Sequence, residues 1–267
     1  MNQLNIARLK PVSETLLVTA YLRSQESQKL NGIIKDHKSE EIIASINHNF
    51  AKYNHSLNQT LIAIRTQLFD EFTSSFIHQY PEATIINLGS GLCTRFFRLD
   101  NGSINWFDLD LPEVEPIWNS LIGQTERHKY YSSSVLDLDW MKKIKSERIH
   151  KPLFIAEGLL MFFSEIEVRY LLQNIRDNFA DSEIIFDSIG TLLAKNSRRS
   201  SEILGVNVSY QWGIDNLSDL ENWGKKIKLI NQWHYLNRHE ARLGWLGLLS
   251  CFPTLRRQVK IGHLRFS

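Results

Sequence analysis

One stretch of the chain, residues 84–95, constrains the fold more than any other. It opens with the apolar run Thr84-Ile-Ile-Asn-Leu88, whose β-branched residues are typical of a strand buried on both faces. The run breaks at Gly89-Ser-Gly91, where glycines allow a tight turn and a close approach of the backbone to a ligand. A second apolar run, residues 104–110, ends in Asp110, 21 residues beyond Gly89. A glycine turn after one strand and a carboxylate at the tip of the next predict a nucleoside-binding site in an open α/β sheet.

The glycine spacing separates two classes of nucleoside cofactor. A nicotinamide dehydrogenase requires Gly-x-Gly-x-x-Gly, and the last of these positions is Thr94 here. The missing third glycine disfavours a dinucleotide and favours a ligand with one nucleoside and no phosphates, such as S-adenosylmethionine. A nucleotide-dependent oxidoreductase is therefore the weaker alternative. Because Gly-x-Gly is also frequent in ordinary turns, the adjoining strand and Asp110 carry the argument.

Two longer segments, residues 86–99 and 106–114, resemble the leucine carboxyl methyltransferase family, and more closely its bacterial branch of natural-product O-methyltransferases, which includes polyketide-type enzymes. Further matches occur at Arg65 with Asp70 and at residues 133–140 and 156–162, so the similarity runs from about residue 11 to the C-terminus. The resemblance implies a class I S-adenosylmethionine-dependent methyltransferase. Its fold would be α/β, with a Rossmann-like seven-stranded sheet and an N-terminal helical cap.

The resemblance also implies which residues bind the cofactor. Arg65 would contact the methionine carboxylate, for which a planar guanidinium is suited. Asp110 would take the ribose hydroxyls, and Glu157, after the fourth predicted strand, would contact the amino group or the methyl. The full predicted set is Arg65, Gly89, Ser90, Gly91, Asp110, Leu111, Ser134, Val135 and Glu157, where residues 134 and 135 correspond to the adenine loop of the family. Asp110 could instead cap the following helix, Glu157 could be a buried ion-pair partner, and Ser134 could be an ordinary loop hydroxyl.

Four positions depart from the family pattern. Cys93 replaces an Asp, Ser134 replaces an acid that the natural-product branch also lacks in many members, and Phe162 replaces a Tyr. Asn87 stands where the general methyltransferase motif begins with an acid. The departures at Cys93 and Phe162 motivate an alternative hypothesis, a methyltransferase-like protein that binds the nucleoside or a partner without turnover.

The methyl acceptor is predicted less specifically than the cofactor. An acceptor carboxylate is ionised at neutral pH and needs no general base, whereas a phenol or alcohol acceptor needs a base within hydrogen-bond reach, such as His234 or His239. Candidate acceptor-binding residues are Phe162, Tyr210, Trp212, His234, Arg238 and His239. The sequence leaves both acceptor chemistries open and identifies no catalytic residue.

Strands and helices alternate along the middle of the chain, which predicts a parallel, doubly wound sheet. Residues 1–63 are predicted to form the helical cap and residues 64–267 the methyltransferase domain, with a lid-like insertion at about 189–222. A long amphipathic helix is predicted at 61–80, and another helix at 237–250. Residues 227–231 and 256–266 are predicted to close the sheet as a hairpin, the latter as an exposed edge strand because charged and apolar residues alternate in it.

Composition excludes several other functions. The net charge of +2 offers no basis for binding nucleic acid or an anionic membrane. Two cysteines cannot form a disulfide framework, and no signal peptide or run of 18 apolar residues occurs. No group of residues has metal-ligand spacing. We therefore expect a cytoplasmic enzyme with a small-molecule acceptor, while the oligomeric state is not indicated.

Overall fold

The computed structural model describes residues 11–50, 53, 56–196, 209–244, 247 and 251–267. In these ranges, seven strands form one sheet with the order β3-β2-β1-β4-β5-β7-β6. The strands are β1 Thr84–Leu88, β2 Asn105–Asp110, β3 His128–Ser132, β4 Pro152–Ala156, β5 Glu183–Ile189, β6 Ile227–His234 and β7 Val259–Phe266.

The helices lie mainly between consecutive strands. They are α1 Pro11–Ser27, α2 His37–Ala44, α3 Ser56–Gln79, α4 Arg95–Leu99, α5 Glu115–Leu121, α6 Asp139–Lys145, α7 Glu165–Asn178, α8 Thr191–Lys195, α9 Glu240–Leu243 and α10 Pro253–Arg256, with short 3-10 helices at Leu160–Phe162, Leu217–Trp223 and Tyr235–Asn237. The start of α7 illustrates how the sequence sets a boundary, because Ser164 and Glu167 form a reciprocal capping box. Among the described residues, no helix is both long and apolar enough to cross a membrane.

Strands β1 to β5 are parallel, and β7 runs antiparallel between β5 and β6. Every residue of β1 and β4 is buried, as expected for strands with helices on both faces. Ile85 and Ile86 belong to different apolar clusters because successive side chains of a strand point to opposite faces. The predicted α/β class and seven-stranded sheet are confirmed.

The helical cap has an apolar cluster of its own. Tyr21 of α1, Ile42 of α2 and Phe50 pack together there, and the rings of Tyr21 and Phe50 are stacked with centroids 4.8 Å apart. Leu92, from the glycine turn after β1, joins this cluster. The cap therefore rests directly on the carboxyl end of β1. The predicted division between residues 63 and 64 falls inside α3, which runs without a break from Ser56 to Gln79.

Two local predictions were wrong. The segment that ends in β7 is an interior strand, with β6 as the edge, and Lys260 and His263 are buried in it despite their polarity. The predicted helix 237–250 is interrupted, because His239 and Gly244 have φ of 51° and 57°, which an α-helix cannot accommodate. Residues 197–208 of the predicted lid lie outside the described residues, as do 245, 246 and 248–250.

Candidate active site

A cavity of about 220 Å³ lies at the carboxyl ends of β1 and β4. These neighbouring strands are the point where the strand order of the parallel sheet reverses, and ligands of open α/β sheets bind at such a switch point. The cap covers the cavity from the other side through residues of α1 and α3. The lining comprises Leu16, Val18, Thr19, Leu22, Arg23, Asn58, Leu61, Ile62, Arg65, Asn87, Gly89, Ser90, Gly91, Leu92, Cys93, Glu157, Gly158, Met161, Phe162 and Tyr210.

The turn after β1 requires its glycines for both conformation and space. Gly89 and Gly91 have φ of 59° and 53°, in the left-handed region that residues with a Cβ rarely adopt. A Cβ on Gly89 would stand 2.6 Å from Cδ1 of Leu159, and one on Gly91 would stand 2.7 Å from Cδ2 of Leu16. The backbone of the turn is thus packed closely between the sheet and the cap, and it forms one wall of the cavity.

Asp110, at the tip of β2, holds this turn. Its Oδ2 accepts a 2.6 Å hydrogen bond from the Gly91 amide, and its Oδ1 accepts a 2.7 Å hydrogen bond from the Leu111 amide. Burial raises the pKa of the Asp110 carboxyl, although the two amides act in the opposite direction. The carboxylate therefore joins the turns after β1 and β2, where the sequence predicted a ribose-binding acid.

Glu157, directly after β4, receives two guanidinium groups. Nε of Arg65 donates to its Oε1 at 2.8 Å, and Nη2 of Arg95 donates to its Oε2 at 2.7 Å. Burial alone would raise the pKa of Glu157, but the charges of Arg95 and Arg65 outweigh it and lower the pKa to about 2. Glu157 is thus ionised throughout the physiological range.

The ion pairs continue in both directions from Glu157. On one side, Arg65 lies 3.5 Å from Asp187 at the end of β5. On the other side, the pairs run from Arg95 to Asp70, from Asp70 to Arg98, from Arg98 to Asp36 and from Asp36 to Arg23. The network contains four arginines and four carboxylates (4 − 4 = 0), so its formal charge is zero.

An aromatic wall lies beside this network of ion pairs. The rings of Phe162 and Tyr210 are 5.6 Å apart, centroid to centroid. The segment that carries Tyr210 is attached to the turn after β4, because the Gln211 amide donates to the Met161 carbonyl at 2.8 Å. Burial raises the pKa of the Tyr210 phenol to about 12. Tyr210 is therefore a neutral hydrogen-bond donor at physiological pH.

The structure brings some of the predicted cofactor residues to the cavity and leaves others away from it. Residues that line it are Arg65, Gly89, Ser90, Gly91 and Glu157, while Asp110, Leu111, Ser134 and Val135 do not. Val135 is in the apolar core, and its carbonyl accepts a 3.1 Å hydrogen bond from the indole of Trp140. The hydroxyl of Ser134 accepts from the Leu136 amide at 3.3 Å. The adenine contacts of this loop stay a prediction.

Four of the six predicted acceptor residues lie away from the cavity. Trp212 packs against Trp223 in the core, with ring centroids 6.0 Å apart. Arg238 donates to Glu71 at 3.0 Å, and Nε2 of His239 lies 2.8 Å from Oε1 of Gln67, so both contact α3 at exposed positions. His234 lies at the carboxyl end of β6 in a separate cleft. The sequence grouped these residues by composition, whereas only Phe162 and Tyr210 reach the cavity.

Sequence reasoning missed several polar residues of the site. Asp187 is the clearest case, since it stands near the end of a predicted strand and its carboxylate accepts from the Gly158 amide at 2.6 Å. Arg95 lay within the matched motif but was given no role. Arg23 and Asn58 come from the cap helices and carried no local signal. Among the described residues, no group of three or more His, Cys, Asp or Glu side chains could hold a metal ion.

The residues at the cavity fit the amino-acid end of S-adenosylmethionine. The hydroxyl oxygen of Ser90 is buried and has no hydrogen-bond partner among the described residues. Gly158 has a φ of 66°, and a Cβ there would approach Nη1 of Arg65 to 3.0 Å. A guanidinium, an ionised carboxylate and an unsatisfied hydroxyl around one cavity suit a ligand that carries both a carboxylate and an ammonium group.

Fold and site together define the class of protein. Solved structures of similar fold include a candidate methyltransferase from Thermobifida fusca, with a TM-score of 0.62 and 12% identity over 100% of this chain and 96% of that one. Another is an S-adenosylmethionine-dependent methyltransferase from Anabaena variabilis, with a TM-score of 0.52 and 13% identity over 83% and 96% of the two chains. At these identities the likeness establishes the fold alone, which is that of class I methyltransferases.

The family follows from the sequence comparisons. The leucine carboxyl methyltransferase family model matches residues 16–176. The tetracenomycin polyketide synthesis O-methyltransferase TcmP of Streptomyces glaucescens is 25% identical over 86% of this chain and 85% of its own length. The S-adenosyl-L-methionine-dependent methyltransferase dpfgK of Gibberella zeae is 26% identical over 91% and 89%. The chain belongs to the leucine carboxyl methyltransferase family and is an S-adenosylmethionine-dependent methyltransferase.

Proposed function

We propose that this enzyme methylates a carboxylate of a small natural-product acceptor. The observation that carries the proposal is the absence of a usable general base among the described residues that line the cavity. Their titratable side chains are Arg23, Arg65, Cys93, Glu157 and Tyr210, and none is a histidine. A phenol or alcohol acceptor requires a base, whereas a carboxylate is already ionised.

Each titratable group of the lining is in the wrong state for a base. Glu157, with its pKa of about 2, is bound by two guanidiniums and is too weak a base to deprotonate a phenol. Burial raises the pKa of the Cys93 thiol, which keeps it neutral. Tyr210, with a pKa of about 12, is protonated. An arginine guanidinium has no acceptor site and cannot serve as a base.

The charge of the site also favours an anionic acceptor. The buried ion-pair network is formally neutral, so it does not compensate the positive charge of a sulfonium. The cavity lining also includes the apolar side chains of Leu61, Ile62 and Met161. An unpaired cation in such surroundings is unfavourable, and an acceptor carboxylate would neutralise it.

The residues of the cavity promote the reaction chiefly by positioning the cofactor and the acceptor. Arg65 and the backbone of the glycine turn hold the amino-acid end of the ligand, and Glu157 keeps Arg65 in place. When bound, S-adenosylmethionine supplies a methyl group that is already activated on sulfur. Phe162 and Tyr210 form a wall that excludes water and presents the phenol hydroxyl as a donor to the acceptor. Orientation of this kind provides most of the rate enhancement for an in-line displacement.

The class of acceptor is supported by a relative. The name of TcmP assigns that protein to tetracenomycin polyketide synthesis, and this chain covers 85% of its length. We infer that the acceptor here is also a small natural-product acid with an apolar, aromatic body. Aromatic and aliphatic side chains predominate around the ion pairs of the cavity.

The test uses pairs of aromatic compounds that share one scaffold and differ only in bearing a carboxylic acid or a phenol. We expect transfer of radiolabelled methyl to acids and little transfer to the matched phenols. The product should lose its label in mild alkali, as an ester does and an aryl ether does not. Preferential labelling of phenols would overturn the carboxylate assignment.

Binding of S-adenosylhomocysteine, measured by calorimetry with NADH as the control, tests the cofactor site independently of the acceptor. Binding without transfer to any member of a broad acid and phenol library would favour the non-catalytic hypothesis, which Cys93 and Phe162 motivate. We expect S-adenosylhomocysteine to bind and NADH not to bind.

A further inference from the structure

A second cleft, of about 200 Å³, lies at the carboxyl end of β6, on the same edge of the sheet as the active site but at its far end. It is lined by Asp215, Asn216, Gln232, His234 and Arg257. None of these residues lines the active-site cavity. The methylation site therefore gives no explanation for the polar composition of this cleft.

Positive charge is in excess around the cleft. His234 faces Arg256, Arg257 and Lys260, and Asp215 faces Lys260 and Lys195. Asp215 uses one carboxylate oxygen to accept from the Thr191 amide at 2.9 Å and the other to accept from the Thr191 hydroxyl at 2.6 Å.

A second carboxylate, that of Asp219, accepts from the side-chain amide of Asn216 at 3.2 Å. When Lys260, whose pKa burial lowers to about 8, is protonated, four cations thus face two carboxylates (4 − 2 = +2) in the described part of the chain. A formal excess of two positive charges remains around the cleft.

Two nitrogen atoms here lack hydrogen-bond partners within the described ranges, and one ammonium group is buried. Nδ1 of His234 and Nε of Arg256 are buried without a hydrogen-bond partner among the described residues. The ammonium group of Lys260 is buried and donates to the backbone carbonyls of Ile214, Asp215 and Arg257, the last two at 3.2 and 2.8 Å. Buried cations and unpaired nitrogen atoms are costly, and an anion would relieve both conditions.

We propose that this cleft binds a compact tetrahedral oxyanion, phosphate or the phosphate of a phosphomonoester. The excess of two positive charges matches a phosphate dianion. The exposed guanidinium of Arg257 supplies a charged donor, Gln232 an amide donor, and His234 a ring nitrogen that becomes a donor on protonation. The cleft opens at exposed residues, which leaves room for the ester group of a larger molecule. This inference does not depend on the identity of the methyl acceptor.

Binding is expected to be coupled to protonation of His234. Burial, together with the positive charges of Arg256, Lys260 and Arg257, lowers the pKa of His234, and a bound anion opposes this effect. Sulfate is the suitable probe for this point, because its own charge does not change between pH 7.5 and 6. Sulfate should bind more tightly at pH 6, with uptake of a proton.

The experiment titrates the whole enzyme with inorganic phosphate and with methyl phosphate by calorimetry at pH 7.5, and with sulfate from pH 7.5 to 6. Arg257→Gln should weaken binding of all three about tenfold, since it removes a charged donor. His234→Gln should reduce the pH dependence to the smaller part that Lys260 contributes, since the pKa of Lys260 is about 8 and most of its charge is already present at pH 7.5. The matched control is Lys228→Gln, which removes one exposed positive charge from β6, the strand that ends in His234. It should leave binding unchanged.

Each outcome decides a different point. Equal binding of phosphate and methyl phosphate means that the cleft accepts a phosphate carried by a larger molecule, and binding of phosphate alone means that it holds the free ion. Loss of affinity in Lys228→Gln equal to that in Arg257→Gln would mean only nonspecific attraction and would overturn the proposal. So would the absence of binding by all three anions. S-adenosylhomocysteine affinity, measured in every variant, reports whether the fold is intact.

Discussion

Arg65 donates from its Nε to Oε1 of Glu157 at 2.8 Å, and this contact joins the long helix α3 to the end of β4. The two residues are 92 positions apart in the chain. Glu157 is held from its other oxygen by Arg95, so three elements of the fold meet at one carboxylate. Because the carboxylate is largely buried and doubly paired, it contributes to the stability of the fold as well as to the geometry of the cavity.

Removing the charge of Glu157 is expected to destabilise the protein. Glu157→Gln keeps the shape of the side chain but leaves Arg65 and Arg95 without their shared anion. Breaking a buried ion pair in this way costs about 3–5 kcal/mol in the free energy of unfolding. Urea denaturation followed by circular dichroism measures it. Glu126→Gln, at an exposed position, is the control and should change the free energy by less than about 0.5 kcal/mol.

The ionisation of Glu157 also predicts how the stability of the protein changes in acid. The pKa of Glu157 is about 2 in the folded protein, below its ordinary value of 4.5. Its contribution is therefore complete above about pH 4.5 and is lost as the pH falls toward 2, an effect of about 3 kcal/mol. The difference in unfolding free energy between wild type and Glu157→Gln should shrink over this interval. A constant difference from pH 6 to 2.5 would contradict the assigned ionisation.

Gly158 offers a test of how tightly Arg65 is placed. Gly158→Ala puts a Cβ 3.0 Å from Nη1 of Arg65 on a backbone with φ of 66°, so we expect both strain and displacement of the guanidinium. Gly102→Ala is the matched control, since its φ is 83° and nothing lies within 4 Å of the added Cβ. Both variants should lose about 1 kcal/mol of stability from backbone strain.

Only the Gly158 variant should bind S-adenosylhomocysteine more weakly, by about tenfold. Calorimetry on the two variants separates the effect of the guanidinium from that of strain. Equal affinities would show that the position of Arg65 does not matter for the ligand.

The sequence predicted the parallel part of the sheet because its strands, except β3, are short and mainly apolar runs bounded by turn residues. Asp110 was placed correctly at the tip of β2, since strand register and chain spacing determine that position. The polar residues of the cap were not predicted. Arg23 reaches Asp36 and the Leu92 carbonyl across 13 and 69 positions, and no local pattern reveals contacts of that range. The burial of Lys260 was not predicted for a similar reason, because its three partners are backbone carbonyls that any sequence would supply.

Tyr210 provides a test of the acceptor side of the proposed reaction. Tyr210→Phe keeps the ring contact with Phe162 and removes only the hydroxyl donor. We expect the KM for a carboxylate acceptor to rise about tenfold to a hundredfold, as for the loss of a hydrogen bond to a charged group, with little change in S-adenosylhomocysteine affinity. Tyr170→Phe, on the exposed face of α7, is the control. An unchanged KM would remove Tyr210 from the acceptor site.

The pH dependence of methyl transfer distinguishes the two acceptor chemistries without knowledge of the natural substrate. For a carboxylate acceptor, kcat/KM should be flat from about pH 6 to 9, because the acceptor is ionised and no described residue of the lining titrates as a base there. A phenol acceptor would instead show a rate that rises with pH. Lys260, whose pKa burial lowers to about 8, titrates within this interval but lies away from the cavity. S-adenosylhomocysteine affinity measured over the same pH range separates its effect on the fold from an effect on transfer. A tenfold rise in kcat/KM per pH unit, at constant affinity, would require a base that a carboxylate acceptor does not need.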